Sequence, residues 1–151
     1  MSLLKLFIDM TIIIDETKKT KKPSNEYALE IMRGEKQIGL IKAFNNTDKR
    51  FNIYWLEYYV LEDYRRQGVI NEHLPKFFKL LEKNKVLKLM CQVKDDNFVS
   101  KHILEKHNFV LMKKIDEYFI YVRHLNNEIN AIFKEIVEKN RNLIENSKTS
   151  N

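Results

Sequence analysis

A single cysteine, Cys91, in 151 residues rules out an internal disulfide and any zinc site built on cysteine pairs. That scarcity fits a reducing compartment, and the cytoplasm is the expected location. Three glycines and two prolines are too few for a collagen-like repeat or a Pro/Gly-rich disordered chain. Long apolar runs are missing as well. The most hydrophobic stretch near the start is broken by Lys5, Asp9 and Asp15, is too short to cross a bilayer, and carries no signal-peptide cleavage pattern. No membrane partner is expected. The four histidines are scattered, and none pairs with another at the spacing of helix-borne metal ligands. No metal is expected either.

The chain does have apolar residues at 44% of its length, enough for one domain with its own core. Lys and Arg total 27 against 21 Asp and Glu, a net charge of +6. A basic balance favours anionic partners: nucleic acid, a phosphorylated cofactor or an acidic surface.

Hydrophobic periodicity gives the element order. Leu6 to Ile14 is rich in β-branched residues and reads as a strand, followed by a basic loop, Lys18 to Asn25. Tyr27 to Met32 and Gln37 to Phe44 both alternate around a turn at Gly34-Glu35-Lys36, the pattern of a hairpin. After a turn at Asn45 to Arg50, the aromatic-rich run Ile53 to Val60 reads as a central strand. The period then changes to helical, with Ile70, Leu74, Phe77, Phe78 and Leu81 on one stripe and Pro75 inside it. Val86 to Val93 is the next strand. Asp95 or Asp96 is placed to cap a short helix ending near His107, with Asn108 in the left-handed position that follows many helices. Two strands, Phe109 to Lys113 and Tyr118 to Arg123, precede a last helix capped by Asn126 or Asn127. Its stripe is Ile129, Ile132, Phe133, Ile136, Val137, Leu143 and Ile144. Strands joined through a helix favour parallel pairing and those joined by tight turns pair antiparallel, so the expected fold is α+β with a mixed, mostly antiparallel sheet flanked by helices. The expected division is a domain over 1–125, an added C-terminal helix over 126–146, and a disordered tail over 147–151.

One segment has chemistry written into it. Tyr64-Arg65-Arg66-Gln67-Gly68-Val69-Ile70-Asn71 lies between a strand and a helix. A helix start offers free backbone N–H groups and the positive end of the helix dipole, which together attract phosphate. Gly68 removes the side chain where the backbone must approach a ligand, and Arg65 and Arg66 add charge for phosphate oxygens. This physics specifies an anion at a helix start and leaves the anion unnamed; an ordinary charged turn fits the same residues.

The stretch Val60-Leu61-Glu62-Asp63-Tyr64-Arg65-Arg66-Gln67-Gly68-Val69-Ile70 resembles the acetyl-CoA signature of the GNAT superfamily. A second stretch, Asn97 to Phe109, is similar to that family's Asn-x-x-Ala/Ser…Leu-Tyr-x-Lys-x-Gly-Phe pattern at the expected distance downstream. The resemblance covers about Tyr27 to Arg123. It implies a GNAT-like fold with an extra C-terminal helix and an enzyme that moves an acetyl group from acetyl-CoA, as co-substrate, to a primary amine. It implies that backbone groups of Tyr58 and Val60 pair with the pantetheine arm. Arg65, Arg66, Gln67, Gly68, Val69, Ile70 and Asn71 would hold the pyrophosphate, and Asn97 would meet the pantetheine with Ser100 nearby. Three positions depart from the pattern: Ile70 replaces a small residue, Asn108 a Gly, and Leu104 the Tyr that protonates the leaving thiolate in many members.

Among catalytic candidates, Glu57 shares a strand face with Ile53, Trp55 and Tyr59, where a carboxylate among aromatics suits a general base; a solvated edge position is the structural alternative. Tyr58 is the second candidate, beside Tyr59 and Tyr118, either as proton donor or as pocket wall. Cys91 reads as a buried small hydrophobe. The acceptor is a small-molecule or peptide amine: peptide N-termini, lysines, aminoglycosides and polyamines all remain. The C-terminal helix is expected to bury its stripe on its own sheet or to form a homodimer contact. The rival function is a non-catalytic acyl-CoA sensor or interaction module, which Leu104 supports. Nucleic-acid binding through Lys18 to Lys22 ranks last, because no spaced aromatic platform accompanies the charge.

Overall fold

The computed structural model describes residues 26–45 and 52–149, with side chains up to Leu143. The expected strand Leu6 to Ile14, the basic loop Lys18 to Asn25 and nearly all of the turn Asn45 to Arg50 lie outside the described residues.

The hairpin reading holds. β1 (Glu26–Arg33) and β2 (Lys36–Phe44) pair antiparallel, with Arg33 opposite Lys36 across a two-residue turn. Gly34 takes φ +62°, a conformation that costs a side chain strain. β3 (Ile53–Val60) pairs antiparallel with β2, and β4 (Lys88–Lys94) pairs parallel with β3. β5 (Val110–Ile115) and β6 (Tyr118–His124) form a second hairpin, joined to β4 through β6. The resulting sheet is β1-β2-β3-β4-β6-β5, mixed as expected, with one parallel pair.

Helix α1 (Val69–Lys83) crosses from β3 to β4 and α2 (Phe98–Lys106) from β4 to β5. The α1 face Val69, Ile70, Leu74, Phe77, Phe78 and Leu81 is buried in a single core cluster with Leu56, Leu89, Cys91 and Leu104. Each such side chain contributes roughly 1.5–3 kcal/mol on burial. Pro75 lies on the exposed side of α1, where its missing N–H leaves the Asn71 carbonyl without its helical donor. Nothing in the structure gives Pro75 a functional role.

Three local expectations are corrected. β4 starts at Lys88, since Lys85 adopts φ +61° and turns Val86 and Leu87 out of the strand. Asn97, and neither Asp95 nor Asp96, caps α2: its Oδ1 accepts the Ser100 N–H at 3.1 Å. The third correction concerns α3 (Asn127–Thr149), whose N-terminus is capped by Asn126 through the Ile129 N–H at 3.0 Å. Its expected apolar stripe does not bury as one. Phe133 and Val137 are half-buried, whereas Ile129, Ile132, Ile136 and Leu143 stay exposed. The helix also runs to Thr149, beyond the boundary expected at Asn146.

The end of α2 follows the sequence expectation. Asn108 takes φ +66°, Phe109 N–H donates to the Leu104 carbonyl at 2.9 Å and Asn108 N–H to that of Glu105 at 3.1 Å. These are the two bonds of a Schellman cap. No described helix is long and apolar enough to cross a membrane.

Candidate functional site

β3 and β4 run side by side for three residue pairs, Ile53–Lys88, Tyr54–Leu89 and Trp55–Met90. Beyond Trp55 they part. β3 continues to Val60 while held on its other side by β2, with Tyr58 opposite Ile41 and Val60 opposite Gly39. β4 continues to Lys94 while held by β6. Among the described residues, the β4-facing edge of β3 from Leu56 to Val60 therefore has no strand paired to it. An extended, amide-containing chain could pair there as an added strand. β2 approaches β3 closely at this point: a Cβ on Gly39 would sit 2.8 Å from the Tyr59 carbonyl oxygen.

From the end of β3 the chain makes a single 3-10 turn, Glu62–Tyr64, and then α1 begins. Arg66 and Gly68 take φ of +63° and +71°, so two left-handed residues reverse the chain in the space of three. Among the described residues no side chain caps α1. Its first backbone acceptor, the Gly68 carbonyl, is reached by Glu72 N–H at 3.0 Å, so the amides of Val69, Ile70 and Asn71 have no acceptor within the helix. Arg65 and Arg66 lie in the turn that leads into them. Arg65 folds back, its Nε donating to the Val60 carbonyl at 2.9 Å. Arg33 and Lys36 each lie 5.3 Å from the Tyr64 ring centre.

The splayed strands, this turn and the first turn of α2 enclose a cavity of about 940 Å³. Its wall includes ten of the expected binding residues: Tyr58, Val60, Arg65, Arg66, Gly68, Val69, Ile70, Asn71, Asn97 and Ser100. Gln67 is the exception. It turns outward, accepting from Arg33 Nη1 at 3.3 Å and donating to the Asp63 carbonyl at 3.3 Å, and so braces the turn from outside. The Ile70 side chain, off-pattern in sequence, enters the core and leaves the turn unobstructed.

Sequence reasoning missed part of the wall. Phe98 and Val99, 72% and 70% exposed, form an apolar lip on the first turn of α2, and His102 and Ile103 continue it. Two exposed apolar residues directly after a capping Asn were the available signal. Lys101 anchors this turn: its Nζ donates to the Asp95 carbonyl at 2.6 Å and lies over the Phe119 ring at 4.1 Å.

The catalytic candidates separate. Tyr58 is in the cavity wall with its hydroxyl buried, beside the Ser100 side chain. Burial raises its pKa far above the ordinary phenol value; the nearby Cys91 thiol adds to this and the Ser100 side chain acts in the opposite sense. Tyr58 therefore keeps its proton at any physiological pH. Glu57 is buried at 5% exposure and so is not on a solvated edge. It lies opposite Lys42 in the sheet, outside the cavity wall, on the face that alternation sets against that of Tyr58. Leu104, at the position where the family pattern carries Tyr, is fully buried in the core. Cys91 is buried and its thiol is pushed up to about 12, first by burial and then by Glu57, so it is not a nucleophile at neutral pH. Among the described residues no group of three His, Cys, Asp or Glu side chains is placed to hold a metal ion.

A family model described as the acetyltransferase (GNAT) family matches residues 6–109. No curated protein matches the sequence. Among solved structures, the chain is similar to the PaiA N-acetyltransferase of Thermoplasma acidophilum in complex with coenzyme A, at TM-score 0.61 and 17% identity over 78% of this chain and 70% of that one. It is similar to the ribosomal-protein-S18-alanine N-acetyltransferase of Escherichia coli at TM-score 0.61 and 17% identity, covering 74% and 76%. An N-acetyltransferase from Staphylococcus aureus Mu50 matches at TM-score 0.63 and 18% identity, covering 79% and 78%. At such identities these likenesses speak for the fold.

Proposed function

Because the chain belongs to the GNAT acetyltransferase family, we propose that it transfers an acetyl group from acetyl-CoA to a primary amine on a small molecule or a peptide. The observation that carries this reading is the uncapped start of α1, turned by Gly68 at φ +71° and opening on the gap between β3 and β4. The residues fit the cofactor. The amides of Val69, Ile70 and Asn71, with Arg65 and Arg66, suit a pyrophosphate. The open edge of β3 at Tyr58 and Val60 suits the two amides of a pantetheine arm, and Asn97 and Ser100 face it across the cavity.

Acetyl-CoA supplies the thioester carbonyl that the amine nitrogen attacks, so that a C–N bond forms, the C–S bond breaks and coenzyme A leaves as its thiol. Tyr58 is assigned as the donor of that thiol proton, in place of the residue that Leu104 replaces. Glu57 is assigned as the acceptor of the amine proton; outside the cavity wall and on the opposite sheet face from Tyr58, it takes that proton only through water. Among acceptors, the net charge of +6 disfavours strongly cationic amines, whose approach it would slow.

The test is thermal unfolding with acetyl-CoA, coenzyme A and ATP in parallel. Saturating coenzyme should stabilise the fold by roughly 2–4 kcal/mol. Absence of any shift with both coenzyme forms would remove the reading. Leu104 in the core favours one rival, an acyl-CoA sensor without turnover. A thiol-release assay over a panel of amines separates the two, since a sensor binds coenzyme and releases none with every acceptor.

A further inference from the structure

Helix α3 has two faces. Asn130, Phe133, Val137 and Arg141 turn toward the sheet: Asn130 is buried and bonds to the His124 N–H at 2.9 Å and the Asn108 carbonyl at 2.8 Å, and Phe133 packs edge-on against His124 at 4.8 Å. Arg141 Nη2 donates to the Leu111 carbonyl. A second stripe lies about 120° around the helix. It consists of Ile129, Ile132, Ile136 and Leu143, exposed by 51, 59, 52 and 66%. Steps of three, four and seven residues are those of a heptad seam. Leu87, whose carbonyl accepts from Leu125 N–H just before α3, is 61% exposed. Four large aliphatic side chains on one line are more than a solvated helix needs.

We propose that this stripe is the seam of a two-fold homodimer, in which α3 packs antiparallel against α3 of a second copy. The charge on the helix selects this occupant. Glu128, Glu135, Glu138 and Glu145 balance Lys134, Lys139, Arg141 and Lys148, so α3 carries no net charge on a chain of +6. An anionic membrane or an acidic partner would be met by a basic helix; a neutral one lets two strongly basic molecules approach. The flank beside the stripe is self-complementary. Glu135 and Lys139 already pair along the helix at 3.3 Å. A two-fold axis near Val137, one residue past the middle of the stripe, sets Glu135 opposite the partner's Lys139 and Lys139 opposite the partner's Glu135. Antiparallel packing also opposes the two helix dipoles. The 23-residue helix is about 34 Å long and gives a small, single-helix interface, so the dimer is of modest affinity, with Kd on the order of 10 µM.

The experiment is sedimentation of the full chain across about 1 to 200 µM, a span that brackets that Kd. The expected result is a reversible monomer–dimer equilibrium, and Ile132→Glu with Ile136→Glu should weaken it at least about tenfold, with circular dichroism unchanged because both side chains already face water. If the double variant misfolds, Glu135→Lys provides the second reading: it should weaken the dimer, and adding Lys139→Glu should restore it. In an otherwise wild-type chain, Ile136→Cys should cross-link to itself on oxidation, since buried Cys91 does not compete. A wild-type chain that is monomeric throughout, including one whose α3 binds lipid vesicles or the segment before residue 26 instead, overturns the proposal. So does a dimer indifferent to all of these changes.

Discussion

At Gly68 the backbone takes φ +71°, and among the described residues nothing beyond its own chain neighbours lies within 4 Å of where a Cβ would sit. Space is therefore free and conformation alone demands glycine. Gly68→Ala should cost about 1–2 kcal/mol of left-handed strain and lower coenzyme affinity roughly tenfold; calorimetric titration with coenzyme A would show it, and unchanged affinity would refute the placement of the pyrophosphate. Gly39 is the converse, with no unusual φ but a Cβ position 2.8 Å from the Tyr59 carbonyl. Gly39→Ala should push β2 from β3 and destabilise the fold by roughly 1–3 kcal/mol. Cys91 tests burial. Burial first, then Glu57, push its folded thiol up to about 12 from an ordinary value near 9, so the folded form keeps a proton that the unfolded chain gives up. Stability is then fully present below pH 9 and declines as pH rises toward 12. Cys91→Val should flatten part of that decline in a melting-temperature series, and an unchanged slope would contradict it. Gly68 was legible from its neighbours in sequence. Gly39 was not, because a close approach between strands depends on register, which no local pattern records.

Helix ends were legible in kind and less so in detail. Asp95, Asp96 and Asn97 are three successive capping residues, and composition cannot choose between them; the turn that seats α2 on the sheet selects Asn97. Asn97→Ala should cost about 1 kcal/mol, a fall of roughly 2–4 °C in melting temperature for a chain of this size. Asn97→Asp keeps the capping oxygen and removes the amide donor. It should restore stability while leaving coenzyme affinity reduced, and full recovery of both would show that Asn97 acts as a cap alone. His107, at the end of α2, donates from Nε2 to Asn71 Oδ1 at 3.0 Å, because that amide oxygen only accepts. Burial first, then Lys106 and Arg123, lower its pKa. The folded state thus favours neutral His107, and the stability it contributes is present above the unfolded value near 6.5 and lost as pH falls below it. His124 shifts in the same direction through burial and Lys88. The acid limb of a stability profile should therefore be shallower in His107→Gln, and a limb as steep as wild type would remove His107 from the account. The α3 stripe shows where periodicity stops: a 3.6-residue repeat identifies an apolar face and says nothing of what covers it.

For the whole molecule, a net charge of +6 and a cavity wall that carries Arg65 and Arg66 make coenzyme binding a salt-dependent event. Affinity for coenzyme A should fall several-fold between about 50 mM and 500 mM salt, and an affinity indifferent to salt would mean that the phosphates lie elsewhere. The sheet order was readable because helices and tight turns dictate parallel and antiparallel joins, but the parting of β3 from β4 leaves no local pattern in the sequence. That parting rests on three paired residues. Mechanically, the sheet is two plates, β1-β2-β3 and β4-β6-β5, sharing a short hinge at one end. A ligand seated between their free ends would act as a splint, supplying the missing rungs and locking the plates against each other. Coenzyme should then slow hydrogen exchange at those amides of Leu56 to Val60 that face the gap, and quiet the far hairpin β5–β6 that the second plate carries with it.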